Sequence, residues 1–99
     1  MSYDFIKTLK SDNEIIERFS EKNGTRYGIG ILDRGENLFF QLNEKAIICE
    51  IDAVHGVIYK RSIKRWDTGG IIKKNEIGLV LDKILEYYKK AYNPNAKIV

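Results

Sequence analysis

The chain is predicted to be a single α+β domain in two layers: an antiparallel meander of about five strands with a C-terminal helix packed on one face. Three observations lead there. Short apolar stretches separated by turn residues follow one another from Glu14 to Arg65, Asn23-Gly24 supplies a strong hairpin signal, and one long amphipathic stripe lies near the end. Turns of a few residues allow only antiparallel neighbours, because parallel ones need a crossover of about a dozen residues. Residues 1–94 are assigned to this domain and 95–99 to a frayed tail.

Taken in order, Ser2 to Lys10 has apolar residues at Tyr3, Phe5, Ile6 and Leu9, which fit a short helix. Glu14 to Phe19 reads as the first strand. Thr25 to Leu32 is the second, with Tyr27, Ile29 and Ile31 on one face and Gly28, Gly30 and Leu32 on the other. Gly28-x-Gly30 has the spacing of a phosphate loop, but the chain continues as strand rather than opening a helix, so either close packing over the glycine face, by an aromatic or the C-terminal helix, or a bend of the strand is expected. Leu38 to Leu42 and Ala46 to Asp52 are the third and fourth strands, and Ile47, Cys49 and Ile51 share a face. Val57-Ile58-Tyr59 opens the fifth, which runs into the basic segment Lys60 to Arg65.

The final helix is the clearest element. Asn75 is positioned as N-cap, and Ile77, Val80, Leu81, Ile84, Leu85, Tyr88, Ala91 and Tyr92 recur at three- and four-residue steps. Lys89 and Lys90 suit the carbonyl end, and Pro94 stops the helix. Gly78 costs about 1 kcal/mol relative to alanine, which burial of the stripe has to offset.

Ninety-nine residues with 43% hydrophobic and 31% charged side chains suit one globular core. No apolar run exceeds about four residues, so neither a membrane span nor a secretion signal is read, and a cytoplasmic location is expected. The single Cys49 lies in an apolar run and reads as a buried thiol. Charge is divided unevenly: residues 1–55 hold seven Lys/Arg against ten Asp/Glu, and residues 56–99 hold ten against four, so −3 and +6 make the total of +3.

Ile63-Lys64-Arg65-Trp66-Asp67-Thr68-Gly69, followed by Gly70 and the helix, resembles a pattern of small bacterial immunity proteins of polymorphic toxin systems, of the contact-dependent inhibition type. The resemblance covers about a third of the chain, and the immunity pattern is an Ile-Lys-Arg-Trp-Asp-x-Gly stretch before a final helix. It implies a non-enzymatic protein that binds and neutralises a cognate toxin, with a nuclease as the expected kind, by covering its active site or a neighbouring surface. Because this chain is basic, complementarity to a cationic toxin has to come from a local acidic patch.

The expected partner surface is formed by Asp33, Arg34 and Glu36 in one turn, Glu50 and Asp52 on the fourth strand, and His55 beside them. Trp66 is kept with them as an exposed anchor, although a tryptophan at such a corner more often plugs it. An alternative reading uses Tyr59, Lys60, Lys64 and Arg65 as a nucleic-acid strand, cations for phosphates and aromatics for stacking. An enzyme acting through His55 and the nearby carboxylates ranks last. No cofactor or metal is expected, since one histidine and one core cysteine do not make a ligand set.

Overall fold

A computed structural model describes the backbone of residues 3–99 and the side chains of residues 5–99. The elements are α1 (Tyr3–Ser11), β1 (Glu17–Ser20), β2 (Arg26–Leu32), β3 (Asn37–Leu42), β4 (Lys45–Asp52), β5 (Val57–Ile58), α2 (Lys74–Ala91) and β6 (Lys97–Ile98). The α+β class and the meander stand as read from the sequence, and the six strands lie in chain order across one sheet. Ser2, expected in the first helix, lies outside the described residues.

The period-2 pattern sets the register. Ile29 faces Phe40, which faces Ile47, and Ile31, Leu38 and Cys49 form the adjacent row. These rows pack on α2 through Val80, Ile84, Tyr87 and Tyr88, with Ile58, Ile63, Trp66 and Ile72 closing the side of the core. Tyr87 joins the helix stripe although its spacing did not predict it. Phe19 and Tyr27 draw it in, their rings lying 4.5 and 4.9 Å from its own. The helix begins earlier than Asn75, with Lys73 as N-cap and the Glu76 carboxylate accepting the Lys73 N–H at 3.3 Å.

The other sheet face holds a smaller core of Leu9, Ile16, Leu32, Phe39 and Ala46, so α1 covers part of it. The expected covering of the glycines by an aromatic or the C-terminal helix is not what occurs. A methyl group on Gly30 would sit 2.5 Å from Ile16 Cδ1 and 3.3 Å from the Ile15 carbonyl, and one on Gly28 would sit 2.8 Å from Arg18 Nη1. The segment before β1 is therefore not strand. Asp12 Oδ1 accepts the N–H groups of Glu14 and Ile15 at 2.7 and 2.8 Å, and this turn lays Ile15 and Ile16 over the glycines. Arg18 Nη2 then donates to the carbonyls of Leu9, Lys10 and Asp12, tying the end of α1 to the sheet. Gly30→Ala is expected to cost about 1–3 kcal/mol, because the Ile15 backbone cannot yield as a side-chain end can. A urea midpoint unchanged by that substitution would contradict this packing.

The end of the chain is not a frayed tail. β6 pairs parallel with β5, Val57 opposite Lys97 and Ile58 opposite Ile98, and α2 is the crossover that a parallel pair requires. The fifth strand is correspondingly short. It ends at Ile58, and Lys60–Ser62 forms a 3-10 turn whose Lys60 N–H reaches the Val99 carbonyl at 3.0 Å.

A polar cluster fastens the first hairpin to α2. Glu21 Oε2 accepts from Lys83 Nζ at 2.6 Å and from the Tyr87 hydroxyl at 2.8 Å, and these donors hold Glu21 below the usual carboxylate range. Burial, then the Glu21 contact, pushes Tyr87 up to about 12, and burial does the same to Cys49. Burial also raises Tyr27, Tyr88 and Tyr92. For these acids a raised folded value means stability that is complete below their unfolded range, about 8.5–10, and is lost as pH climbs through their folded values, about 12 for Tyr87 and Cys49. Urea midpoints should be flat between about pH 6 and 8 and fall steeply above about pH 10. Constant midpoints across that range would refute the linkage.

Candidate partner-binding site

Three chain segments meet at one end of β4. The turn between β2 and β3 contributes Arg34, Gly35 and Glu36; the end of β4 contributes Ile51 and Asp52; the following turn contributes Val54, and Tyr59 closes the wall. Together they line a shallow depression of about 350 Å³. An adjoining hollow adds Asn37 and Glu50 and shares Glu36, Ile51 and Tyr59.

The ladder explains why these groups converge. Ile51 N–H bonds to the Glu36 carbonyl and Ala53 N–H to the Gly35 carbonyl, both at 3.0 Å, so the first turn is clipped to the end of β4. Asn37 faces Glu50 across the β3–β4 pair. Within the turn, Asp33, Arg34 and Gly35 have φ of 51°, 59° and 95°. Arg34 there carries left-handed strain of about 1–2 kcal/mol. Gly35 has no substitute, since its φ is positive and a methyl group would meet Ala53 Cβ at 2.9 Å. Strain of this kind persists only where surrounding bonds over-determine the backbone, and it gathers at binding loops.

Of the residues read from the sequence, Arg34, Glu36, Glu50 and Asp52 are brought together. Asp33 lies in the same turn, but its carboxylate accepts from Asn37 Nδ2 at 2.7 Å and so serves the turn. His55 stands at the edge, its Nδ1 2.8 Å from Asp52 Oδ2, while Asp52 Oδ1 accepts the His55 N–H at 3.2 Å. The ring contact first, and the backbone bond second, hold Asp52 below the usual carboxylate range. Glu36 and Glu50 remain exposed.

Trp66 is corrected. Its side chain is buried at 4% exposure, inside the corner with Ile63 and Ile72, and cannot serve as an exposed anchor. Its ring has Lys45 Nζ at 5.6 Å, whereas Nε1 has no hydrogen-bond partner among the described residues. The residue that does stand out is Val54, 85% exposed beside the carboxylates. A branched apolar side chain at the middle of the Ala53-Val54-His55-Gly56 turn was the signal available in the sequence.

The alternative set is divided. Tyr59 belongs to the acidic hollow, with the Arg61 guanidinium 5.9 Å from its ring centre. Lys60 lies in the 3-10 turn, and Lys64 and Arg65 lie on a separate hairpin in which Arg65 bridges Ile71. The expected continuous strand carrying Tyr59, Lys60, Lys64 and Arg65 is therefore not formed. Cys49 faces the α2 core at 1% exposure, which keeps its thiol protonated and inert.

Among the described residues no three His, Cys, Asp or Glu side chains converge as a metal site, and no helix is long and apolar enough to cross a membrane. Comparison of the chain with protein-family models, with curated proteins and with solved structures gave no match.

Proposed function

We propose that the chain is an immunity-type protein that binds and neutralises a cognate protein toxin, and that the depression around Glu36, Glu50 and Asp52 is the surface that receives it. The observation that carries this reading is the convergence of three carboxylates with exposed Val54 and half-buried Tyr59 on one rigidly clipped rim. Such a rim offers charge for steering a cationic partner and an apolar contact for excluding water. A nuclease active site, lined with cations for phosphate, has the complementary chemistry. The Ile63-to-Gly69 resemblance supports the class of protein, and the local carboxylates answer the difficulty posed by a basic chain.

The test begins with capture of a binding protein from nuclease-treated lysate of the native host on the immobilised chain. The captured protein is then expressed in a sensitive host with and without the chain. Growth arrest by the captured protein, relieved by the wild-type chain and not by Glu36→Gln/Glu50→Gln, is the expected outcome. A captured protein that is harmless, or arrest relieved equally by both chains, overturns the reading. Val54→Ser should leave stability within about 0.5 kcal/mol, as exposed substitutions do, while weakening that relief.

A further inference from the structure

The corner that follows β5 is a small hairpin with a charge distribution unlike the rest of the molecule. Arg65 bridges Ile71, Trp66 N–H bonds to the Gly70 carbonyl at 2.8 Å, and Ile72 N–H bonds to the Lys64 carbonyl at 3.0 Å. Ile63, Trp66 and Ile72 anchor it in the core, and Lys64, Arg65, Lys73 and Lys74 stand exposed around it. Residues 60–74 hold six cations and one carboxylate, Asp67. That carboxylate is 1% exposed and is occupied by Lys10 at 2.5 Å and the Ala46 N–H at 2.9 Å. Glu76, the next acid along the chain, is bonded to the Lys73 N–H. Elsewhere Lys10, Arg26, Lys83 and Lys90 are ion-paired, whereas none of the four hairpin cations is paired with a described carboxylate.

We infer that this hairpin is a contact surface for the phosphate backbone of nucleic acid, independent of base sequence. Charge complementarity is the first reason: four unpaired cations on one anchored ribbon fit a regularly charged polyanion. The tip is the second. Gly69 and Gly70 have nothing within 4 Å of where a Cβ would be, so a backbone can approach closely there. The third is what the hairpin withholds. Its one aromatic, Trp66, is buried, which removes the stacking platform for bases and the anchor that a protein interface centres on. Tyr59, the other aromatic of the region, stands among Glu36 and Glu50, where phosphate is repelled. One exposed Ile71 adds apolar contact beside Arg65 but is too little to hold a membrane surface alone.

The surface lies on residues separate from the acidic rim, so it can be tested separately. Fluorescence anisotropy with a labelled duplex DNA is measured across about 50–200 mM NaCl, with four phosphate contacts giving a slope of log K against log[salt] of about −3.6, or about a hundredfold loss of affinity over that range. Lys64→Gln/Arg65→Gln/Lys73→Gln/Lys74→Gln should abolish most of this slope. A matched removal of four exposed cations elsewhere, Lys7, Lys22, Lys89 and Lys97, should retain it, as should Glu36→Gln/Glu50→Gln. Amide shifts on titrating the wild-type chain with duplex should concentrate in residues 64–74, a readout that needs no variant. No duplex binding at the low-salt end, equal losses in both cation variants, or binding to phosphatidylcholine–phosphatidylserine vesicles without binding to duplex would each overturn the assignment.

Discussion

Replacing Asp67 by alanine is expected to destabilise the protein by about 2–4 kcal/mol, less than a fully buried charge pair would lose because Lys10 keeps some contact with water. Asp67 is the corner's attachment to the rest of the fold. Its Oδ1 accepts the Ala46 N–H, its Oδ2 accepts Lys10 Nζ, and its own N–H returns a 2.8 Å bond to the Ala46 carbonyl. It therefore takes the place of a strand neighbour at the start of β4 and holds α1 at the same time. Alanine leaves Lys10, whose side chain is only 20% exposed, without its counter-charge, and leaves a backbone donor unmet. An asparagine side chain would keep the Oδ1 contact, so Asp67→Asn should recover part of the loss. In a domain of this size each kcal/mol moves the thermal midpoint by about 4–8 °C. A loss below about 1 kcal/mol by urea unfolding would mean that the corner is held by its apolar side chains alone.

Deleting residues 95–99 is expected to cost about 3–5 kcal/mol, where a frayed tail would cost nothing. The deletion removes buried Ala96 and half-buried Ile98, and it uncovers Ile58, which is fully buried. It also removes the bonds from Lys97 N–H to the Gly56 carbonyl, from Val99 N–H to the Ile58 carbonyl and from Lys60 N–H to the Val99 carbonyl. Amide exchange in Val57 and Ile58 should accelerate with the loss of stability. Unchanged unfolding midpoints for the shortened chain would contradict the parallel pair.

Why the tail escaped the sequence reading is physical. Two residues of strand give no period to detect, and their partner is set by where α2 returns the chain, a property of the whole fold. The same limit applies to the first strand. Glu14 to Phe19 has a strand-like pattern, but Asp12 competes for the local N–H groups, and the turn it makes is what the two sheet glycines accommodate. By contrast, α2 was legible from its long amphipathic stripe, and β2, β3 and β4 from apolar runs bounded by turn residues, runs that burial on both sheet faces requires. The rim was legible in part: Arg34, Glu36, Glu50 and Asp52 were read from turn and alternation, and adjacent antiparallel strands must bring their ends together. Val54 was missed, and Trp66 was kept among the partner residues although the corner plug was the favoured reading and is what forms, because exposure at a corner depends on what packs behind it.

The two charged surfaces lie toward opposite ends of β4, the acidic rim beyond Glu50 and the basic hairpin beside Ala46. Those two residues, four apart in the strand, are separated by about 13 Å. Under the two proposals a protein partner and a polyanion would meet different residues, and the net charge of +3 is a poor guide to either. The most direct test of the acidic rim is the dissociation constant of the captured partner for the wild-type chain and for Glu36→Gln/Glu50→Gln, measured by titration calorimetry at one salt concentration. The expected result is weakening by at least about thirtyfold, in line with about 2–5 kcal/mol for truncating a desolvated charge pair, with unfolding midpoints unchanged. Equal affinity for the two chains would contradict the assignment of this rim.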